Sequence, residues 1–225
     1  MASKLSLRQR NRLHTMQLVQ ATAIELFDAD GFEHTTIDSI AEVCAVSPST
    51  IYRHFATKEH IVLWDDRDPI IDDELAQRLR RQPVVDAFRD AAITVLADRP
   101  DSALFLRRLK LIYAEPSIWA AAATQDRVDR AELAAGIAAA RGHKLATLAD
   151  DCTAAICLAA LDIALDRWQQ AAADTSLADL IVEAFSAVNA LEHAEVIEEP
   201  GVSGGGVDQL GRDVPEPAGG VGVEG

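Results

Sequence analysis

The chain has 225 residues, enough for one large domain or two small ones around a buried core. Apolar residues make up 49% and charged residues 25%, an ordinary globular balance that excludes a collagen, a coiled-coil rod and a disulfide scaffold. The net charge is −15, yet residues 61–225 carry 15 Lys and Arg against 29 Asp and Glu, whereas residues 1–20 hold Lys4, Arg8, Arg10 and Arg12 and no acid; the charge that repels polyanions is therefore segregated from the N-terminus.

The chain reads as almost all helix. A first long helix is predicted from about Leu7 to Asp30, with Met16, Val19, Ala23, Leu26 and Phe27 as its buried stripe and Gly31 as its left-handed stop. Thr35 or Thr36 caps a short helix whose inward residues are Ile37, Ile40 and Ala41. A tight turn at Cys44-Ala45-Val46 follows. Ser47 then caps a third helix, with Pro48 at its first position, where the missing N–H costs nothing. That helix is expected to end near Phe55. Thr57 caps a fourth, beginning Lys58-Glu59, which is expected to pass Trp64 and stop or kink at Asp68-Pro69.

Further helices are predicted at roughly 71–81, 84–98, 101–114, 117–141, 145–173 and 176–194, punctuated by Pro83, Pro100, Pro116, Gly142 and the cap region Asp174-Thr175-Ser176. Leu177, Leu180, Ile181, Ala184, Phe185, Val188 and Leu191 share one face of the last. From Glu198 onward lie nine of the twelve glycines and three of the eight prolines, a composition that predicts a disordered acidic tail over 198–225. No run reaches about eighteen apolar residues, so no membrane span is expected. The basic start has no apolar stretch after it, and Cys44, Cys152 and Cys157 have no useful spacing, which fits a cytoplasmic protein without a signal peptide.

Residues 36–55 carry the informative pattern: a short helix, a tight turn and a second short helix, the helix-turn-helix arrangement. The small Ala41 lets the helices approach, and Val46 and Ile51 point into their shared core. The exposed face of the second helix, Pro48, Ser49, Thr50, Tyr52, Arg53 and His54, is rich in donors that can meet base edges in a major groove. Tyr52 and His54 lie at its edges, within reach of phosphate oxygens. Lys58, Thr35 and Thr36, at neighbouring helix starts, offer cationic or hydroxyl contacts to phosphate. Lys4, Arg8, Arg10 and Arg12 form either a DNA-contacting arm or an ordinary basic tail.

The run Ala23-Ile24-Glu25-Leu26-Phe27, Gly31-Phe32, Thr35-Thr36-Ile37-Asp38-Ser39-Ile40-Ala41, Val46 to Phe55 and Lys58-Glu59 closely resembles the N-terminal domain of TetR-family transcriptional regulators. The resemblance implies an all-α protein with an N-terminal three-helix helix-turn-helix domain and a C-terminal helical ligand-binding and dimerisation domain. It further implies a homodimer on a palindromic double-stranded DNA operator. Residue by residue, Thr36, Ser47, Ser49, Thr50, Tyr52, His54 and Lys58 occupy the family's DNA-contact positions. One departure is Ala45, where the family usually has glycine; a left-handed backbone there would cost alanine on the order of 1 kcal/mol. The expected domains are 1–57 for DNA, 58–197 for ligand and dimerisation, and 198–225 for the tail.

The second domain shows no Gly-rich phosphate loop, no Gly-x-Ser-x-Gly elbow and no His-Glu-x-x-His, so an enzyme is not expected. His143 and His193 read as surface or cap residues, and Cys152 and Cys157 as core. Small residues on helix 145–173, with the stripe of 177–191, suit packing across a two-fold axis or, alternatively, an intramolecular core. Phe88, Phe105, Leu109, Tyr113, Trp119 and Trp168 are candidate lining residues of an effector pocket, or plain core. Arg108, with Arg107 and Lys110, adds cations that suit an amphipathic anionic ligand, or else forms a solvated face. The segment Trp64 to Pro69, its acidic sequel and Phe105 to Ile112 resemble the mycofactocin-type regulators, which implies an acyl-coenzyme A type effector. The acids Asp65, Asp66, Asp68, Asp72, Asp73 and Glu74 read as a solvated helix end, with a divalent cation site as the alternative. The expected function is a ligand-responsive repressor released from DNA by a small effector, without a cofactor or a membrane partner. The alternatives are a ligand-independent dimeric DNA-binding or interaction protein and, last, an all-helical enzyme.

Overall fold

Local capping chemistry builds most of the helices in the computed structural model, which describes residues 6–97, 102–171 and 175–191. The order is α1 (Leu7–Asp30), α2 (Ile37–Val43), α3 (Pro48–Tyr52), α4 (Lys58–Leu63), α5 (Asp68–Arg78), α6 (Val84–Leu96), α7 (Ser102–Ala114), α8 (Pro116–Ala140), α9 (Leu148–Gln170) and α10 (Leu177–Leu191). Ser6, Thr36, Ser47, Thr57 and Thr147 each accept a backbone N–H at the start of α1, α2, α3, α4 and α9. Gly31 ends α1 at φ +86°, a region closed to side chains with a Cβ at low cost. No described helix is long and apolar enough to cross a membrane. Lys4 and the glycine-rich stretch from Glu198 lie outside the described residues.

Two large hydrophobic clusters and a small third one organise the described residues, which form one compact unit. The first joins Met16, Val19, Ala23 and Phe27 of α1 to Ile37, Ile40 and Ala41 of α2, Ile51 of α3 and Ile61 and Val62 of α4. Ile118 of α8 is fully buried in the same cluster, with Leu111 and Ile112 of α7 beside it. The N-terminal helices are thus welded to α7 and α8 by continuous apolar packing, which the sequence does not reveal. The second cluster lies among α6, α7, α9 and α10, with Phe88 stacked on Phe185 at 5.9 Å. The α10 stripe is as expected: Leu177, Ile181 and Phe185 are buried, and Leu180, Ala184 and Val188 are half-buried. At the start of α9 the Asp150 carboxylate accepts from Thr147 and from Arg141, bonds that hold it down at about 2. Cys157 is core, its thiol pushed up to about 12 by burial.

Two boundaries differ from expectation. Helix α3 ends at Tyr52, not Phe55; the Ile51 carbonyl accepts from His54 and Phe55, so a single turn continues without a helix. Helix α4 ends at Leu63 and does not run past Trp64 to Pro69. Pro69 instead sits in the first turn of α5, where it is tolerated. The reason is tertiary. The last α4 carbonyls are taken by side chains from elsewhere: Gln20 Nε2 donates to Ile61 O at 2.7 Å and Trp64 O at 2.6 Å, and Arg108 Nε donates to Val62 O at 2.9 Å. Orphan carbonyls satisfied from outside make a helix end in the interior stable.

Candidate nucleic-acid interface

The α2–α3 turn is closed by Val46 N–H donating to Ala41 O at 3.0 Å, and Ala45 lies at φ +53°. This is the left-handed geometry that a glycine would adopt freely. Ala45→Gly is expected to raise stability by up to about 1 kcal/mol, read from the urea midpoint at unchanged slope. No gain would mean that the strain is relieved elsewhere in the turn.

Behind the turn, Ile51 is fully buried with Ile40, Ala41 and Phe55, and Val46 is half-buried against them. One face of α3 is thereby fixed and the other is pushed outward. On the outward face Ser47 Oγ lies 2.9 Å from both Ser49 Oγ and Thr50 Oγ1, so three hydroxyls form one hydrogen-bonded group at the start of α3. Tyr52 is 58% exposed and Arg53 is exposed; Pro48 and Thr50 are half-buried. His54 is half-buried, and its Nδ1 has no hydrogen-bond partner among the described residues. Its pKa is lowered by burial first and then by the Arg12 and Arg53 charges.

The helix starts nearby divide. Thr36 is exposed and caps α2 through Ser39 N–H at 3.1 Å. Thr35, expected beside it on the contact face, is turned inward: it is 3% exposed, and its hydroxyl donates to Gly31 O at 2.9 Å. That buried bond ties the α1–α2 loop together and removes Thr35 from the outward set. Lys58 is half-buried; its Nζ donates to Phe32 O at 2.7 Å and lies 4.2 Å from the Phe32 ring centroid. The outward face thus comprises Thr36, Ser47, Ser49, Thr50, Tyr52 and Arg53, with Lys58 and His54 at its margins.

The residues considered for an effector are brought together in part. Phe88, Phe105 and Leu109 are buried in the second cluster, with Tyr113 and Trp168 packed against it. Phe105 and Trp168 lie 5.8 Å apart, and Tyr113 donates to Asp162 Oδ1 at 2.7 Å. Trp119 is 49% exposed at the margin, 5.7 Å from Tyr113. Arg108 does not face these aromatics as a free cation. It is 4% exposed and bound to Val62 O, Leu63 O and Asp65, while Arg107 pairs with Asp28 at 2.6 Å. Desolvated guanidinium groups need such internal partners. Of the acidic run, Asp65 is buried in that pair and Asp66 accepts from Gln17 at 2.6 Å, so neither is simply solvated. Sequence reasoning missed Gln20, whose only trace is a polar residue interrupting an apolar stripe.

Comparison with known proteins places this arrangement. Residues 20–63 match the family model for bacterial regulatory proteins of the tetR family, and residues 82–192 match that for the MftR C-terminal domain. The HTH-type transcriptional regulator TcmR of Streptomyces glaucescens is 34% identical over 152 residues, 62% of this chain and 66% of TcmR, just short of two thirds of its length. The regulator UidR of Escherichia coli K12 is 40% identical over 40 residues, 18% of this chain and 20% of UidR. A TetR-family transcriptional regulator from Syntrophomonas wolfei shares the fold, with a TM-score of 0.55 at 14% identity over 83% of this chain and 98% of that one. The two family models together span well over half of the sequence, one over the helix-turn-helix and one over the helices behind it, and on this evidence the chain belongs to the TetR family of regulators and not to an enzyme family.

Proposed function

We propose that the chain is a transcriptional repressor that binds a palindromic operator as a homodimer and is released by a small effector. The observation that carries this reading is the outward face of α3, where a buried Ile51 fixes the helix and Ser47, Ser49 and Thr50 present hydroxyls beside Tyr52 and Arg53. Short polar side chains at the start of such a helix can read base edges, and the flanking groups can grip phosphates. In this division of labour, residues 1–57 bind DNA and residues 58–197 bind the effector and the second subunit. The homodimer is supported by apolar residues left facing solvent on the last two helices: Ile156 is 47% exposed and Ile163 53% on α9, and Val182 45% on α10. Paired copies would set two α3 helices about 34–36 Å apart, one turn of duplex.

The switch is supported by the environment of α4. Its first residue, Lys58, adjoins the contact face, and its last carbonyls are held by Gln20 of α1 and Arg108 of α7. Arg108 also flanks the Phe105 ring, 5.8 Å away, in the aromatic cluster. An effector lodged among Phe88, Phe105, Leu109, Tyr113 and Trp168 would shift α7 and carry α4 with it. It must favour the released state by about 1–3 kcal/mol to act as a switch. An acyl-coenzyme A type effector is the class implied by the resemblance to mycofactocin-type regulators, and the MftR C-terminal family model covers this part of the chain. A thermal-shift screen with acyl-coenzyme A species tests it; a melting temperature unmoved by every species would favour a ligand-independent DNA-binding dimer.

Selection of bound fragments from a genomic DNA pool tests the central reading, and recovery of no enriched duplex would reject it. On the selected operator, Thr50→Ala is expected to relax preference at one or two base positions, each by about 1–3 kcal/mol of discrimination. Tyr52→Phe and Lys58→Ala should weaken binding to all variants alike. Gel shifts across an operator-variant series separate the two behaviours; a uniform loss for Thr50→Ala would remove it from base reading.

A further inference from the structure

Two consecutive arginines of α7 leave the helix in different directions, about 100° apart around its axis. Arg108 runs to the end of α4, where it is buried and holds Val62 O, Leu63 O and Asp65. Arg107 runs to α1. Its Nε donates to Asp28 Oδ2 at 2.6 Å and its Nη2 to Ile24 O at 3.5 Å, and both partners of the ion pair stay half-open to solvent, at 38% and 43%. On α1, Gln17, Gln20, Ile24 and Asp28 follow one another at three- and four-residue steps and so lie on one face. Each of them is tied to what lies beneath: Gln17 donates to Asp66 at 2.6 Å, Gln20 holds Ile61 O and Trp64 O, and Ile24 and Asp28 meet Arg107. The ties differ in kind. Gln20 and Arg108 are buried, so their bonds fix the junction, whereas a half-exposed ion pair adds little to stability and opens to water at small cost.

We infer that the Arg107–Asp28 pair is a strut that sets the tilt of the N-terminal helices and so selects the distance between operator half-sites, from a place outside the contact face. The inference rests on the reading of the chain as a DNA-binding homodimer. Gln20 lies eight residues from Asp28 in one direction and eight from Arg12 in the other, about 12 Å each way along α1. Arg12 lines a groove together with Thr50 of α3, and α1 to α4 share one apolar core, so a tilt of α1 about Gln20 carries α3 with it. Opening the pair from a direct contact to a water-bridged one moves Asp28 by about 2 Å, and Arg12 by about as much the opposite way. Two subunits related by a two-fold axis add their shifts to about 4 Å, against a rise of about 3.4 Å per base pair. A closed strut therefore holds the paired α3 helices to one spacing, and an open one admits the next. Arginine suits this place because its planar fork reaches a carboxylate and a carbonyl at once, which fixes direction as well as distance.

The test uses the full chain and duplexes that carry the selected half-sites at the native spacing and at one base pair more or fewer. The quantity read is the ratio of affinity at the best spacing to affinity at its neighbours. Arg107→Gln and Asp28→Asn should each lower that ratio by about 3–10-fold and leave affinity for an isolated half-site as it was. The charge-reversed combination Arg107→Glu/Asp28→Arg should restore it, which a merely structural role for either side chain would not produce. A ratio unchanged in both single variants would overturn the strut while leaving DNA binding intact. A loss on half-site and full-site duplexes alike would give the pair a part in the fold of α1 to α4 and overturn the strut as well. So would a ratio lowered in the single variants and left low in the reversed pair, because the effect would then not depend on the pairing. If the unmodified chain binds every spacing equally, the paired-subunit reading fails, and if it binds no duplex the functional reading fails; the strut falls with either.

Discussion

Replacing Arg108 with alanine should destabilise the protein by about 3–5 kcal/mol, among the largest single-site losses expected. The side chain runs from α7 to the end of α4. Its Nε donates to Val62 O at 2.9 Å, its Nη1 to Asp65 Oδ2 at 3.0 Å and its Nη2 to Leu63 O at 3.3 Å. Arg108 is 4% exposed and Asp65 8%, so water cannot replace what is removed. Alanine would leave a buried carboxylate short of its cation and two carbonyls short of a donor, and each unsatisfied group costs about 1–3 kcal/mol, more when charged. Lysine would not rescue it, because one ammonium cannot span three acceptors in a fixed fork. The double change Arg108→Met with Asp65→Leu should cost less than Arg108→Ala alone, since no charge is then stranded. Urea unfolding of the three variants measures these differences. A loss below about 1 kcal/mol for Arg108→Ala would show that Asp65 finds other partners. In the functional reading the same variant unlinks α7 from α4, so an effector that still binds should no longer release DNA.

Ile163→Glu should convert the protein to single subunits and lower operator affinity by about 10²–10⁴-fold. Ile163 is 53% exposed on α9, one helical face with Ile156 and the exposed Ala159 and Cys152. A two-fold interface would bury that residue twice, once from each copy, so one substitution introduces two desolvated carboxylates. The fold of each subunit should survive, because the side chain makes no part of either large core cluster. Light scattering after size exclusion reads the subunit number, and half-site against full-site duplexes read the affinity. A dimer that persists in Ile163→Glu would move the interface to another surface. A subunit that is single but keeps full operator affinity would remove pairing from the mechanism.

Where an element depends on chemistry within a few residues, the amino-acid sequence is enough. Ser47 and Thr57 cap the helices they were expected to cap, and Thr36, one of the two threonines expected for α2, caps that helix, because a hydroxyl at that position meets a backbone N–H three residues on whatever surrounds it. Gly31 stops α1 for an equally local reason. The alternation of small and apolar residues places Ile40, Ala41 and Ile51 in one core, and the outward hydroxyls follow once that core is set. Ala45 is left-handed at the turn position where the resemblance led a glycine to be expected.

Other features depend on residues that are distant in sequence. The end of α4 is decided by Gln20 and Arg108, 41 and 46 residues away from the carbonyls they hold. No pattern near Leu63 records those donors, so the helix was expected to run on. Thr35 and Thr36 are indistinguishable in composition, yet the loop's packing turns one inward and leaves the other out. Arg107 and Arg108 read as cations awaiting an anion, and the fold supplies Asp28 and Asp65 from the N-terminal helices and the segment after α4. An open groove beside α3 exists only because α1 runs along it, so that Arg8 and Arg12 line it together with Arg53 and His54. Helix type, caps and the recognition face are thus properties of short segments, set by hydrogen bonds and periodicity that any copy of the segment would repeat. Helix ends in the interior, the fate of each buried charge and the shape of the cationic groove are properties of the assembled chain, because desolvation and pairing are fixed by whichever distant groups the fold brings near.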